Sequence, residues 1–242
     1  MRTVQGELEL ALSTLLNQST RIDLSGRTDT GVHAAAQSIA FDTPPHWQPA
    51  KLLRSLRAIL PTDVTVTQMN IASSNFHPRF NAIGRRYEYA LAINAPDQPF
   101  LRNRAWILDG DIDVAKLSKL ALLIQGEHSF AAFAKSPQPS NGTICLVESA
   151  LWSADSIPLL RFEIVANRFL HHMVRYLVGT CVEIAMGRRP QIDLELLIDN
   201  TMASRPVFPA PASGLYLTGV RYPEGWNRPA GIPWLGPLKT RK

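Results

Sequence analysis

Only two cysteines, Cys145 and Cys181, occur in the 242 residues, and neither sits in a Cys-x-x-Cys context. This argues against a disulfide framework or a cysteine-built zinc site and fits a reducing cytosol. No apolar run approaches the roughly 20 residues that cross a bilayer, and Met1-Arg2-Thr3-Val4-Gln5-Gly6 has no apolar core of an export signal. A cytoplasmic protein with no membrane partner is the expectation. There is no Gly-rich phosphate loop, H-E-x-x-H, G-x-S-x-G or EF-hand loop, which argues against nucleotide-binding, metallohydrolase and serine hydrolase readings. Blocks of like charge and low-complexity tracts are also missing, so the chain reads as globular.

What is present is a core and a positive balance. Hydrophobic residues make up 45% of the chain, enough for one large domain or two modest ones. Lys and Arg number 25 against 20 Asp and Glu, a net charge of +5 that favours polyanionic partners. Arginines collect at Arg79, Arg85 and Arg86, at Arg102 and Arg104, at Arg161, Arg168 and Arg175, and at Arg188 and Arg189. A fold that brought these to one face would make a phosphate track.

The densest chemistry lies in Leu24-Ser25-Gly26-Arg27-Thr28-Asp29-Thr30-Gly31-Val32-His33-Ala34. Gly26 and Gly31 bracket Asp29 and allow a sharp turn or a close approach. Arg27 and Asp29 are two apart, so in an extended segment both side chains project to one face. A guanidinium there would hold the carboxylate ionised; the bland alternative is an exposed ion pair that contributes little.

Around this stretch the periodicities predict an interleaved order. Val4, Leu8, Leu12 and Leu15 predict a helix over 4–17 capped by Thr3. A strand follows at 37–41, then a helix over 49–60 opened by Pro49, and strands at 64–69 and 86–93. Residues 94–103 have linker composition and set an expected boundary between domains 1–100 and 101–242. The second half predicts a helix over 114–125 between Asp113 and Gly126, and an exposed loop at 134–142. Strands follow at 144–152 and 159–165 about an Asp155-Ser156 turn, then helices over 168–186 and 194–202 and a strand over 214–222. Strands and helices mixed in both halves indicate an α/β or α+β protein in two layers.

Three further constellations carry chemistry. Asp29-Thr30-Gly31 matches the D-T-G of aspartic proteases, but those need two aspartates sharing a proton, and this chain has one such motif amid helices. His171 and His172 on a helix would diverge by about 100°, so no metal site is expected of them, and one packed and one solvent-facing histidine is the plain reading. Arg175 lies one turn beyond His171. Arg85-Arg86-Tyr87-Glu88-Tyr89 interleaves cations and aromatics on a strand, a surface on which a base could stack; otherwise both tyrosines simply pack the core.

Taken together, these segments resemble the TruA family of tRNA pseudouridine synthases over nearly the whole chain. Gly26 to Ala34 is similar to the family's aspartate motif, with Thr30 where Ala is more usual. Phe76-His77-Pro78-Arg79-Phe80 with Arg85 to Tyr89 resembles the second motif, Ala166 to Arg175 the third, and Gly214-Leu215-Tyr216-Leu217 the fourth. The resemblance implies Asp29 as the catalytic nucleophile, Arg175 as the cation paired with it and Arg27 as a positioning group. It also implies Tyr87 as the residue stacking on the target uracil, with Arg79, Arg86 and His171 binding substrate. Further implications are an α+β pseudouridine synthase fold of two ferredoxin-like domains sharing a continuous, mainly antiparallel sheet, and a homodimer. The implied substrate is uridine 38, 39 and 40 in the tRNA anticodon stem-loop. No cofactor is implied, because the reaction only moves the base from N1 to C5 attachment.

The family pattern also places a strand and a loop with Tyr-Asp-Gly and Gly-Trp-Gln before the first helix, whereas Met1 stands two residues before the matching Thr3. A first domain short of its first strand is therefore expected. The alternative function that goes with it is a tRNA-binding protein impaired in catalysis.

Overall fold

Local chemistry starts the first helix where the sequence places it: the Thr3 side chain accepts from Gly6 N at 3.1 Å, and Asn17 ends the helix in the left-handed region at φ 52°. The structure is a computed structural model that describes residues 2–95, 98–135, 142–156, 158–198, 206–227 and 231–235. In chain order its elements are α1 (Val4–Leu16), β1 (Asp23–Leu24), β2 (His33–Ala34), β3 (Ile39–Ala40), α2 (Pro49–Ile59), β4 (Gly84–Ile93) and α3 (Gln98–Leu101). There follow β5 (Trp106–Leu108), α4 (Val114–Ile124), β6 (Gly126–Ser129), β7 (Ile144–Ser156), β8 (Leu159–Ala166), α5 (Met173–Ala185), α6 (Ile192–Ile198), β9 (Leu215–Tyr222) and β10 (Gly225–Trp226). The fold is mixed α/β with one large sheet, as the sequence predicts.

Two compact units are present: residues 1–26 with 38–81, and residues 27–37 with 82–242. The linker-like stretch 94–103 lies inside the second unit and contains α3.

In the first unit α1 and α2 pack around Leu8, Leu12, Leu16, Leu52 and Leu56, beside an antiparallel β1–β3 ladder. Burying each such leucine contributes about 2 kcal/mol. The strand expected at 64–69 is absent. Arg57 donates through Nε to Val66 O at 2.6 Å and through Nη2 to Thr67 O at 2.7 Å. A side chain thus satisfies carbonyls that a neighbouring strand would otherwise take, while Val64, Val66 and Met69 still pack on the core.

The second unit holds an eight-stranded, mainly antiparallel sheet in the order β10-β9-β4-β8-β7-β6, with β2 parallel to β9 and β5 parallel to β4. Strand alternation divides β4 between two faces. Tyr89 and Leu91, with Tyr87 packed alongside, join the core formed with α4, α5 and α6. Ala90 and Ala92 face a smaller cluster with Leu101, Tyr216 and Ile232. Glu88 and Arg161, 1% and 0% exposed, form a buried ion pair at 3.2 Å. Glu88 Oε2 also accepts from Ile232 N at 3.3 Å, and Arg161 Nη2 donates to Leu235 O at 3.4 Å. Between Arg86 and Tyr87 the β4–β9 register shifts, skipping Thr218.

Two boundaries differ from expectation. Asp155 and Ser156 extend β7 rather than forming a turn. The helix predicted over 168–186 begins only at Met173, because His172 adopts φ 68° and Met173 N donates to Leu170 O, closing a turn before α5. The expected loop at 134–142 falls partly, and the helix end at 199–202 wholly, outside the described residues.

Candidate active site

Asp29 is carried by the loop between β1 and β2, and the loop is fastened to the second unit's sheet. His33 and Ala34 pair with Tyr216 and Leu217, while Ala35 N and Ala36 N donate to Leu217 O at 2.9 and 3.2 Å. The His33 ring stacks on Tyr216 at 4.5 Å, and His33 Nε2 lies 2.8 Å from Asn103 O. Within the loop, Val32 N donates to Asp29 O at 3.1 Å and Gly31 takes φ 84°, a turn only glycine forms without strain.

Three nitrogens meet the Asp29 carboxylate. Arg175 Nη1 donates to Oδ2 at 2.9 Å, His172 Nε2 lies 3.1 Å from Oδ2, and His171 Nε2 lies 3.2 Å from Oδ1. Arg175 stands in the first turn of α5, where the helix dipole also favours a negative group. Side-chain exposure is 19% for Asp29, 14% for Arg175 and 15% for His172, but 58% for His171. The carboxylate is thus backed by Arg175 and His172 and open toward His171.

The convergence of both histidines overturns the divergence expected of a helical pair. They precede α5, and the left-handed φ of His172 swings its ring to the same carboxylate. Burial pushes the His172 pKa below its ordinary value, with His171, Arg175 and Lys135 acting in the same direction and Asp29 opposing. Neutral His172 then donates Nε2–H to Asp29, which leaves its buried Nδ1 without a partner. Asp29, His171 and His172 offer ligand atoms within 4.8 Å of one another, a spacing that a divalent ion tolerates. Arg175, already on Oδ2, sets a fixed positive charge against such an ion.

Tyr87 is half-buried on the same sheet face, its ring meeting Phe169 edge-on at 5.0 Å. Burial pushes its hydroxyl up to about 12; Asp29 adds to the rise and Arg85 opposes it. The phenol therefore stays protonated at neutral pH.

The remaining residues singled out in the sequence lie elsewhere. Arg27 is exposed and, among the described residues, forms no ion pair with Asp29, so the same-face pairing expected from their spacing does not occur. Arg86 projects from the opposite face of β4 from Tyr87: its guanidinium lies over Trp226 at 5.3 Å and its Nε donates to Thr218 Oγ1 at 3.3 Å. Arg79 belongs to the first unit and is exposed, its backbone N donating to His77 Nδ1 at 3.1 Å. Sequence reasoning missed His172 at this site. The signal was available, since a turn at 168–172 instead of a helix lets adjacent histidines converge.

Among the described residues Asp29 pairs with His171, His172 and Arg175 and with no second carboxylate, which leaves the proteolytic dyad reading without support.

Comparison with known proteins gives the family. A family model described as tRNA pseudouridine synthase matches residues 120–223. The chain is 35% identical to the tRNA pseudouridine synthase A of Chlorobium limicola, over 92% of this chain and 90% of that protein. It is 37% identical to the protein of the same name from Chlorobaculum tepidum, over 91% and 88%. A Chloroflexus aurantiacus protein, again a tRNA pseudouridine synthase A, is 37% identical over 100% of this chain and 86% of its own length. With a carboxylate held by an arginine, a half-buried tyrosine on the same sheet face and this similarity across nearly the full length, the chain belongs to the tRNA pseudouridine synthase A family.

Proposed function

We propose that this protein isomerises uridine to pseudouridine at positions 38, 39 and 40 of the tRNA anticodon stem-loop, with Asp29 as the nucleophile. The observation that carries the reading is the Asp29 carboxylate, fixed by Arg175 at 2.9 Å on the sheet face that also bears Tyr87.

The reaction breaks the N1–C1′ bond, turns the freed base and joins C5 to C1′. C5 gives up its hydrogen to solvent and N1 takes up a proton, so the atoms balance with no external group or redox change, and the chemistry asks for an ionised carboxylate and a pocket that retains the base. Arg175 and His172 keep Asp29 oriented, and its open side at His171 is where substrate reaches it. The target uridine leaves the anticodon-arm stack at a cost of a few kcal/mol, partly offset by stacking on Tyr87. His171, the most exposed member of the cluster, contacts the nucleotide, while the exposed Arg27 and Arg79 bind the RNA backbone; Arg86, packed on Trp226 on the other face of β4, takes no part in this reading. The same reading includes a cytoplasmic homodimer.

The test is tritium release from tRNA carrying 5-tritiated uridine, using substrates with a single uridine among positions 38, 39 and 40. Release from each supports the assignment. No release from any, by protein that binds the tRNA, would replace it with the binding-only alternative.

A further inference from the structure

Arg175 is held from behind as well as from the front. Its Nε donates to Ala210 O at 2.8 Å, and its own backbone carbonyl accepts from Ala210 N at 2.9 Å. One residue of the 206–211 segment thus grips both ends of Arg175. Because a guanidinium is planar and rigid, fixing Nε fixes the direction of Nη1, the atom that meets Asp29.

Two glycines and one tyrosine place that segment. Gly179 lies one turn beyond Arg175 on α5, and a Cβ there would overlap the carbonyl oxygen of Phe208, so the segment rests directly on the helix backbone. Tyr89 is fully buried, and its hydroxyl donates to Pro211 O at 2.8 Å. Gly214 makes room for that ring: a Cβ there would come 2.5 Å from Tyr89 Cζ. The next residue of the same run, Ala212, stands 3.4 Å from where a Cβ on Gly31 would be, beside the Asp29 loop.

We propose that the 206–211 segment, seated on Gly179 and tied to β4 by the Tyr89 hydroxyl, is a strap that aims the Arg175 guanidinium at Asp29, and that Tyr89 is a positioning residue for the reaction. The proposal rests on the reading of Arg175 as the partner of the catalytic carboxylate. Tyr87 and Tyr89, two apart on one strand face, then divide the work: one meets the base and the other sets the charge geometry behind the carboxylate.

The test uses the full chain and tRNA, with Tyr89→Phe, Gly179→Ala and Arg175→Ala alone and Tyr89→Phe combined with Arg175→Ala. Tyr89→Phe keeps the ring and loses one hydrogen bond, so kcat should fall about five-fold with KM within about two-fold. Gly179→Ala should lower kcat by about ten-fold or more, again with little change in KM. Added to Arg175→Ala, Tyr89→Phe should cost less than about two-fold, because the residue through which it acts is gone. An unchanged kcat in Tyr89→Phe overturns the strap, as does a full five-fold loss persisting in the Arg175→Ala background; either leaves the role of Arg175 standing. Wild-type kcat in Arg175→Ala overturns the reading of Arg175 and the strap with it. Should Gly179→Ala fail to fold, the Tyr89 cycle decides alone.

Discussion

His171 and His172 are adjacent in the chain yet reach different oxygens of one carboxylate, Nε2 of the first 3.2 Å from Asp29 Oδ1 and Nε2 of the second 3.1 Å from Oδ2. The left-handed turn at His172 makes this possible. With Arg175 on Oδ2 as well, the carboxylate has nitrogen partners on both of its oxygens.

Asp29→Asn preserves the shape of that arrangement and removes its charge. Turnover should fall by about 1,000-fold or more, measured by tritium release, while tRNA affinity in a filter-binding assay stays within about three-fold. Turnover near the wild-type rate would remove Asp29 from the chemistry.

Tyr87 should act through its ring. Tyr87→Phe is expected to bind tRNA within about two-fold of wild type, since the hydroxyl is not charged at neutral pH. Tyr87→Ala should lose about ten-fold or more in affinity as base stacking disappears. Equal losses in both variants would point to the hydroxyl instead.

Acid should destabilise the protein partly through His172. Its folded-state pKa lies below the ordinary 6.5, so on acidification the unfolded chain takes up that proton first. The contribution is complete above about pH 6.5 and is lost as pH falls through the depressed folded value. Urea unfolding at several pH values should show a steeper acid loss for wild type than for His172→Gln; parallel curves would contradict the assignment.

The two glycines that flank Asp29 should respond differently. Gly31→Ala places a side chain at φ 84° against Ala212 and should cost about 1 kcal/mol or more, with reduced turnover. Nothing lies within 4 Å of a Cβ on Gly26, so Gly26→Ala should stay within about 0.5 kcal/mol. Thermal melts of the two variants make the comparison.

Glu88→Gln leaves Arg161 charged and buried without its carboxylate and should cost about 3 kcal/mol. Replacing both residues by apolar ones of similar size should recover most of that loss. A single variant that melts like wild type would show that the pair is not as desolvated as its burial indicates.

Much of this was legible where local chemistry acts alone. Thr3 and Asp113 cap α1 and α4 as their positions suggest, and Gly126 and Gly187 stand in positive φ just beyond the helices they end. Non-local geometry was not legible. Val64 to Met69 alternates like a strand, but the partner of its carbonyls is the Arg57 side chain. Helical spacing misread His172 because a single residue in the left-handed region moves the start of α5 by several positions. The grip of Ala210 on Arg175 joins residues 35 apart through the backbone N and O of Ala210, and no side-chain pattern at 210 announces it.

The Asp29 loop has a history written into its pairing. Its eleven residues belong to the second unit although the chain on either side of them belongs to the first, and their strand partner, Tyr216 and Leu217, is synthesised about 180 residues later. The carboxylate therefore leaves the ribosome early and waits for the far end of the chain. A nascent or truncated polypeptide ending before Leu215 would contain Asp29, Tyr87 and Arg175, yet the loop would have no strand on which to settle. Synthesis order thus puts the strand at Leu215–Tyr222 among the last parts this centre needs.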